Sequence, residues 1–282
     1  MITCTATAQA VASDLAELLD EPLVKLDPDG SAEPYADGTV GSDERVVVVG
    51  STTTSDANLE LLERQERATE RDPEEVVTVL PYMSYARQDD SFRKGEPVSA
   101  RAVGKAIGAG TDRAYVVNPH NVAVLDYFDV PAEPVDAAPL LADPLPDDLV
   151  EPVFLAPDED AVWLAESVRE AYGTGHVDSF EKLRYSATDV EMDASDKDFT
   201  GSDIVLVDDM IATGGTMSEA IGVLTHQNTG RVVVTCVHPV LARDALSRLN
   251  QTGIADIYAT NTIDHSVSEV SAAPAIAESV RE

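Results

Sequence analysis

The chain has 282 residues, 44% of them hydrophobic, and carries 52 acidic against 19 basic side chains, a net charge of −33. That length suits two hydrophobic cores of about 140 residues each. So negative a surface repels nucleic acid and anionic membranes unless salt screens it, which excludes both as partners. The acids are spread along the chain, helix-like faces such as Asp14, Glu17, Asp20 and Glu21 included, and only five lysines are present. This spread argues against an acidic tail and for adaptation to very high salt.

No basic stretch leading into an apolar run opens the sequence, and no apolar run reaches 18 residues. Neither a leader nor a membrane helix is therefore expected, and a cytoplasmic protein is. Cys4 and Cys236 lie in apolar, strand-like contexts and read as small core residues of a reducing compartment. Short apolar runs alternate with amphipathic stretches, the signature of parallel sheets covered by helices. In the first half, 45–50 (RVVVVG), 75–81 (EVVTVLP) and 114–118 (AYVVN) are expected strands, with helices over 57–71 and 99–108. Residues 131–148, rich in Pro, Ala and Asp, are expected to carry the chain between domains at 1–145 and 146–282.

The second half restarts the pattern. A strand is expected at 153–156, a helix at 161–172, and a hairpin from 180–184 with 189–192. Strands follow at 204–208, 231–237 and 256–260, with helices at 216–227 and 241–250. Residues 186–202 are polar and poor in strand formers, and read as a mobile flap. Two similar α/β units of comparable length suggest duplication, although no repeat is visible in the residues themselves.

The strongest pattern is 204–216, IVLVDDMIATGGT. Four apolar residues make a buried strand, two carboxylates follow at its carboxyl end, and a loop of small residues opens a helix. Ligands of open parallel sheets sit outside the carboxyl ends of strands. Thr213, Gly214, Gly215 and Thr216 can wrap a phosphate, because glycine lets backbone N–H groups converge and the helix adds its positive end. Asp208 and Asp209 suit a polyol, each accepting hydrogen bonds from neighbouring hydroxyls. A plain strand–turn–helix with a capping threonine is the alternative; two adjacent acids weigh against it, because they repel unless something cationic or hydroxylic lies between them.

This segment resembles the loop that binds phosphoribosyl diphosphate in phosphoribosyltransferases and in ribose-phosphate diphosphokinases. A second stretch decides between the two. Residues 81–101, PYMSYARQDDSFRKGEPVSAR, resemble the diphosphokinase ATP motif, and by that resemblance Arg87 and Gln88 contact ATP, Arg87 offering a planar cationic fork to phosphate. Asn118-Pro119-His120 resembles the archaeal branch of that family (the bacterial branch usually has Asp at the first position) and makes His120 a Mg²⁺-site residue. Asp158, after Pro157, inherits the other metal position, although Glu159 and Asp160 stand where the family has small residues. Phe180–Arg184 reads FEKLR and is similar to the family's Lys-x-Arg flap, with Lys182 and Arg184 as catalytic residues two apart on one strand face. At 35–39, Tyr35, Asp37 and Gly38 keep part of a Phe-Pro-Asp-Gly-Glu stretch that meets the adenosine of an ATP held by a neighbouring subunit, while Thr39 replaces the Glu.

The resemblance covers residues 1 to about 275 and implies two domains of the type I phosphoribosyltransferase-like fold, each a mostly parallel sheet with helices on both faces. It implies a transferase of nucleotide biosynthesis that moves the diphosphate of Mg²⁺-bound ATP to the 1-hydroxyl of ribose 5-phosphate, in a homo-oligomer with a shared ATP site. Positioning and charge neutralisation would carry most of the rate. Asp208, Asp209, Ala212, Thr213, Gly214, Gly215, Thr216 and Arg184 would hold the sugar phosphate. Ala212 occupies a position that is Asp in many relatives, so no general base stands there. The departures at Thr39, Glu159 and Asp160 motivate one alternative, a catalytically weak regulatory subunit. The other, a phosphoribosyltransferase, leaves Arg87, Gln88 and the FEKLR flap without a use.

Overall fold

The computed structural model describes residues 1–26, 32–34, 45–90, 95, 97–184, 190–193 and 198–281. In chain order it begins with β1 (Ile2–Cys4), α1 (Gln9–Leu19), and the antiparallel pair β2 (Val24–Leu26) and β3 (Ala32–Pro34). Then come β4 (Arg45–Val49), α2 (Ser55–Thr69), β5 (Glu75–Leu80), α3 (Ser99–Gly108), β6 (Arg113–Val117) and β7 (Ala132–Val135). The chain continues through β8 (Val153–Ala156), α4 (Val162–Tyr172), β9 (His176–Ser179), β10 (Glu181–Arg184) and β11 (Val190–Asp193). It closes with β12 (Ile204–Met210), α5 (Gly215–Thr225), β13 (Val232–His238), α6 (Ala245–Asn250), β14 (Asp256–Thr260), β15 (Ser268–Val270) and α7 (Ala273–Arg281).

Two compact units result, and each has its own parallel sheet, as the alternating pattern predicts. The first joins Met1–Ala137 to Asn261–Asp264 and Ser271–Glu282; the second is Ala138–Thr260 with His265–Val270. The first unit's sheet runs β1-β4-β5-β6-β7, the second's β15-β14-β13-β12-β8-β9, with every pairing parallel. Runs of β-branched residues make these strands, because a strand covered on both faces is apolar throughout; Val46, Val47, Val48 and Val49 are all at most 2% exposed. The first core gathers Val46, Val48, Leu61, Leu80, Ile107 and Val116, the second Leu155, Ile204, Leu206, Ile221, Val234 and Leu249. Cys4 and Cys236 are free and buried in β1 and β13, as expected. Burial raises the Cys4 thiol to about 11, out of reach of thiolate chemistry at neutral pH.

Several expectations need correction. The main segment of the first compact unit ends at Ala137, and the chain re-enters that unit at the end. There α7 buries Ala273, Ile276, Ala277 and Val280 and packs on α1. The stretch 131–148 is not a plain connector. Its β7 extends the first sheet beside β6, disguised by Pro134, which an edge strand tolerates. Leu141 and Ala142 are buried in the 3-10 turn that follows. The helix expected over 241–250 starts only at Ala245, since Leu241 and Arg243 have φ of 38° and 60°. The expected hairpin is present as antiparallel β10 and β11, with Lys182 opposite Met192; much of the flap expected at 186–202 lies outside the described residues.

One buried polar group holds the start of the second sheet. Asp203, 4% exposed, accepts from the backbone N–H of Val150 (2.9 Å) and of Arg231 (2.6 Å), and from the Arg231 Nε (3.1 Å) and Nη2 (2.9 Å). Burial alone pushes its carboxyl up, but these donors prevail and hold it below the usual range. A Cβ at Gly230 would collide with Asp203 Oδ1, so a larger residue there would push the carboxylate off its donors. A depressed carboxyl stabilises the fold above its unfolded pKa and stops doing so as pH falls through the folded value. Asp203→Asn is therefore expected to cost about 2–4 kcal/mol at neutral pH, lowering Tm by roughly 5–12 °C. Melts at fixed high KCl check this: the gap should shrink below about pH 3.5, and a Tm within about 1 °C of wild type at pH 7 refutes it.

Candidate active site

In the first unit, the carboxyl ends of β4, β5 and β6 lie side by side by their parallel pairing. The turn after β5 is pinned to the loop after β4. The Thr52 N–H donates to Tyr82 O (2.9 Å) and the Ser84 N–H to Thr52 Oγ1 (2.9 Å). Asn58 Nδ2, on α2, donates to Ser84 Oγ (3.2 Å). Tyr85 takes a left-handed φ of 64°, and the Gln88 N–H closes the turn onto Tyr85 O (2.8 Å). Arg87 and Gln88 leave this turn exposed.

Two bonds to Asp89 bring the 87–88 turn together with the loop after β6. Asn121 Nδ2 donates to Asp89 Oδ2 (2.7 Å) and Tyr127 Oη to Asp89 O (2.7 Å). His120, exposed, directly precedes Asn121. The turn that carries Arg87 and Gln88 and the loop that carries His120, more than thirty positions apart in the sequence, are thus tied through Asp89 at one end of one sheet. Asp89, Asn121 and Tyr127 were not singled out from the sequence, since nothing in their spacing announces the clamp. Tyr35, Asp37, Gly38 and Thr39 lie outside the described residues.

In the second unit, the chain leaves β8 to β9 on one side and later places β12 on the other. The crevice between β8 and β12 is thus a topological switch point, where open α/β sheets bind ligands. Asp158 follows β8 and its Oδ1 accepts from the Ala161 N–H (3.2 Å), capping the turn into α4. Asp208 and Asp209 end the neighbouring β12. Each carboxylate folds back on the chain: the Asp209 N–H donates to Asp208 Oδ1 (2.9 Å) and the Met210 N–H to Asp209 Oδ1 (2.7 Å). Burial first, then the negative charges of Asp209 and Asp158, hold the Asp208 carboxyl well above the ordinary carboxylate range. A buried carboxyl raised in this way beside two further acids calls for hydroxyl donors or a cation among them.

The loop after β12 is braced from behind. Leu241 N–H donates to Ile211 O and Ala242 N–H to Ala212 O, both at 2.8 Å. Gly214 has φ +73°, a conformation that glycine alone adopts without strain, and it opens α5 at Gly215. Thr213 and Thr216 are exposed, with Ala212 and Gly215 half-buried. Eleven residues of α5 stand behind the loop and present a helix N-terminus to it. Ile211, Leu241 and Ala245 are buried beneath. The backbone partners at 241–242 carry no sequence signal, because any residue could supply their N–H groups.

Lys182 and Arg184 lie on β10, paired in register with Met192 and Val190. Among the described residues, no three His, Cys, Asp or Glu side chains come close enough to hold a metal by themselves. The carboxylate oxygens of Asp158, Asp208 and Asp209 are hard donors of the kind Mg²⁺ accepts, an ion that keeps several waters and is commonly held by one or two protein groups together with substrate phosphates.

Comparison with known proteins gives a consistent result. Residues 2–109 match the family described as the N-terminal domain of ribose phosphate pyrophosphokinase, and residues 194–277 the phosphoribosyl synthetase-associated domain. A ribose-phosphate pyrophosphokinase of Halobacterium salinarum is 51% identical, the match covering 99% of this chain and all of that one. Those of Methanosarcina mazei and Pyrococcus furiosus are 43% and 35% identical, over 84% and 90% of this chain and 79% and 90% of theirs. The crystal structure of phosphoribosylpyrophosphate synthetase from Mycobacterium smegmatis superposes with a TM-score of 0.78 at 26% identity, covering all of this chain and 97% of that one.

Proposed function

Because the chain belongs to the ribose-phosphate pyrophosphokinase family, we propose that it transfers the terminal diphosphate of ATP to the 1-hydroxyl of ribose 5-phosphate. The products are 5-phosphoribosyl 1-diphosphate and AMP. The observation that carries this reading is the pairing of two devices in one chain. A braced glycine loop with two acids stands at a sheet switch point, and at the end of the other sheet the turn bearing Arg87 and Gln88 is tied to the loop bearing His120. A phosphoribosyltransferase needs only the first.

In this reading the N–H groups of 212–216 hold the 5-phosphate, with Thr213 and Thr216 hydroxyls in reach of its oxygens. Asp208 and Asp209 accept from the ribose hydroxyls, and hydrogen bonding of that kind relieves the crowding that raises the Asp208 pKa. Arg87 grips phosphate in two places and Gln88 fixes orientation. Mg²⁺ arriving with the nucleotide would have two positions, one at His120 and the other at Asp158, and when bound it neutralises phosphate charge. Lys182 and Arg184 meet the charge that builds on the departing AMP. Ala212 offers no base, so the 1-hydroxyl proton leaves through Asp209 or solvent. Tyr35 and Asp37 of a neighbouring subunit complete the adenine pocket, and Thr39 in place of a carboxylate loosens the choice of base.

The test is to mix the protein with ATP, ribose 5-phosphate and Mg²⁺ in molar KCl and follow products by ³¹P NMR. AMP and a sugar diphosphate should form in equal amounts, and only when all three are present. ATP left intact overturns the reading. In a second mixture of phosphoribosyl diphosphate and a nucleobase, with ATP left out, release of diphosphate together with a nucleoside 5′-monophosphate would mark a transferase instead.

A further inference from the structure

We propose that Asn118 is a positioning residue for His120, and that its partnership with Asp136 requires one amide and one carboxylate between them. The inference rests on the reading of His120 as a group that meets metal-bound ATP.

Asn118 is 2% exposed at the carboxyl end of β6, and its φ of +34° lies in the left-handed region. It also precedes a proline, a setting that favours extended backbone. Both facts make its conformation one that surroundings must impose. Three hydrogen bonds impose it. The backbone N–H donates to Val135 O (2.9 Å), the side-chain Nδ2 donates to Asp136 Oδ1 (2.7 Å), and the side-chain Oδ1 accepts from the Ala137 N–H (2.8 Å). The amide thus uses a donor and an acceptor at once on consecutive residues, 136 and 137, where the first unit's main segment ends.

Pro119, buried, follows with its φ fixed by the ring. Between the clamped residue 118 and the exposed His120 there is little freedom left. On the other side Asn121 is held by Asp89 (2.7 Å) and by the Ala123 N–H (3.0 Å). His120 is therefore suspended between two anchored asparagines, one buried and one exposed. An aspartate at 118 could still accept from Ala137, but would set a second carboxylate against Asp136 within hydrogen-bond distance. The turn would reopen and carry the imidazole with it.

The experiment compares wild type, Asn118→Asp, Asp136→Asn and the double variant, all in molar KCl. Binding of Mg·ATP without ribose 5-phosphate is measured by calorimetry, KM is measured for each substrate, and each protein is melted. Asn118→Asp should weaken Mg·ATP binding and raise its KM about ten-fold, the scale on which groups supporting a metal ligand act. The KM for ribose 5-phosphate should stay within about two-fold. Asp136→Asn leaves an amide pair that can still bond and should cost less. The double variant restores one amide and one carboxylate and should recover to within about three-fold of wild type. Mg·ATP binding by Asn118→Asp within about two-fold of wild type overturns the proposal, as does an equal rise in both KM values or a double variant no better than the single. Should Asn118→Asp fail to melt cooperatively, the double variant decides by the same criterion. A wild type that forms no AMP sinks the parent reading and this one together; a wild type that does, beside an unaffected Asn118→Asp, sinks this one alone.

Discussion

Lys182→Ala is expected to lower kcat by about 10³-fold or more, while leaving the Kd for Mg·ATP within about three-fold. The difference follows from when the charge is needed. In bound ATP the triphosphate already has cationic partners. As the bond to the β-phosphorus breaks, negative charge moves onto the departing AMP, and a compact ammonium is required only then. An interaction made chiefly in the transition state appears in kcat and hardly in ground-state binding. Three orders of magnitude correspond to roughly 4 kcal/mol, what one well-placed charge donor supplies in a site shielded from water. The chain has five lysines among 282 residues at a net charge of −33, and the one in the FEKLR stretch is the lysine this test singles out. Single-turnover AMP formation, with calorimetric Kd for Mg·ATP alongside, gives the answer. Turnover within about ten-fold of wild type removes Lys182 from the mechanism, and a large rise in Kd moves its role to ground-state binding.

Raising KCl from about 0.2 to 3 M is expected to raise Tm by at least about 10 °C, some 3–5 kcal/mol for a chain of this size. Self-repulsion of 52 acids against 19 bases opposes the compact state. Among the described residues the ion pairs are mostly exposed, such as Arg67–Glu63 at 3.3 Å and Arg248–Asp244 at 3.3 Å, and pairs of that kind return little. Screening by mobile ions is nearly complete by about 1 M, where the Debye length is about 3 Å. A rise continuing beyond that concentration would show that the acidic surface gathers hydrated cations, the behaviour of a protein built for brine. The 51% identity to a Halobacterium salinarum relative supports this expectation. A Tm flat across the range would remove it, and activity should follow the same curve.

How much of this was legible beforehand depends on whether a residue acts through its type or through its neighbours. The strand 204–210 and its loop could be read because strand, acids and glycines are contiguous, and φ +73° at Gly214 is what that glycine predicted. Strand β8 and helix α3 fall where apolar spacing put them. Edges were harder. β7 hides behind Pro134, and β15 is three residues long with one of them buried, so neither has a period to detect. Helix α6 starts late because residues 241 and 242 are spent on bonding the loop after β12, a tertiary duty that overrides local preference. Asp89 and Asn121 illustrate the same limit in the site. Each reads as an ordinary turn former, and only the folded sheet shows that it holds a neighbour in place.

The return of α7 to the first unit has a consequence for how the molecule is made. Asp14 on α1 accepts from Ser271 Oγ (2.6 Å) and from Asn261 Nδ2 (3.2 Å). Arg45 Nη1 donates to Val280 O (2.9 Å), and Arg281 Nη2 to Leu18 O. A ribosome delivers α1 first and α7 only after the whole second unit has emerged. Until then the face of α1 that α7 covers stays wet, and the earlier-made half waits unfinished for the later one. Synthesis is thus vectorial but completion is not: the molecule closes like a clasp, its last helix fastening onto its first.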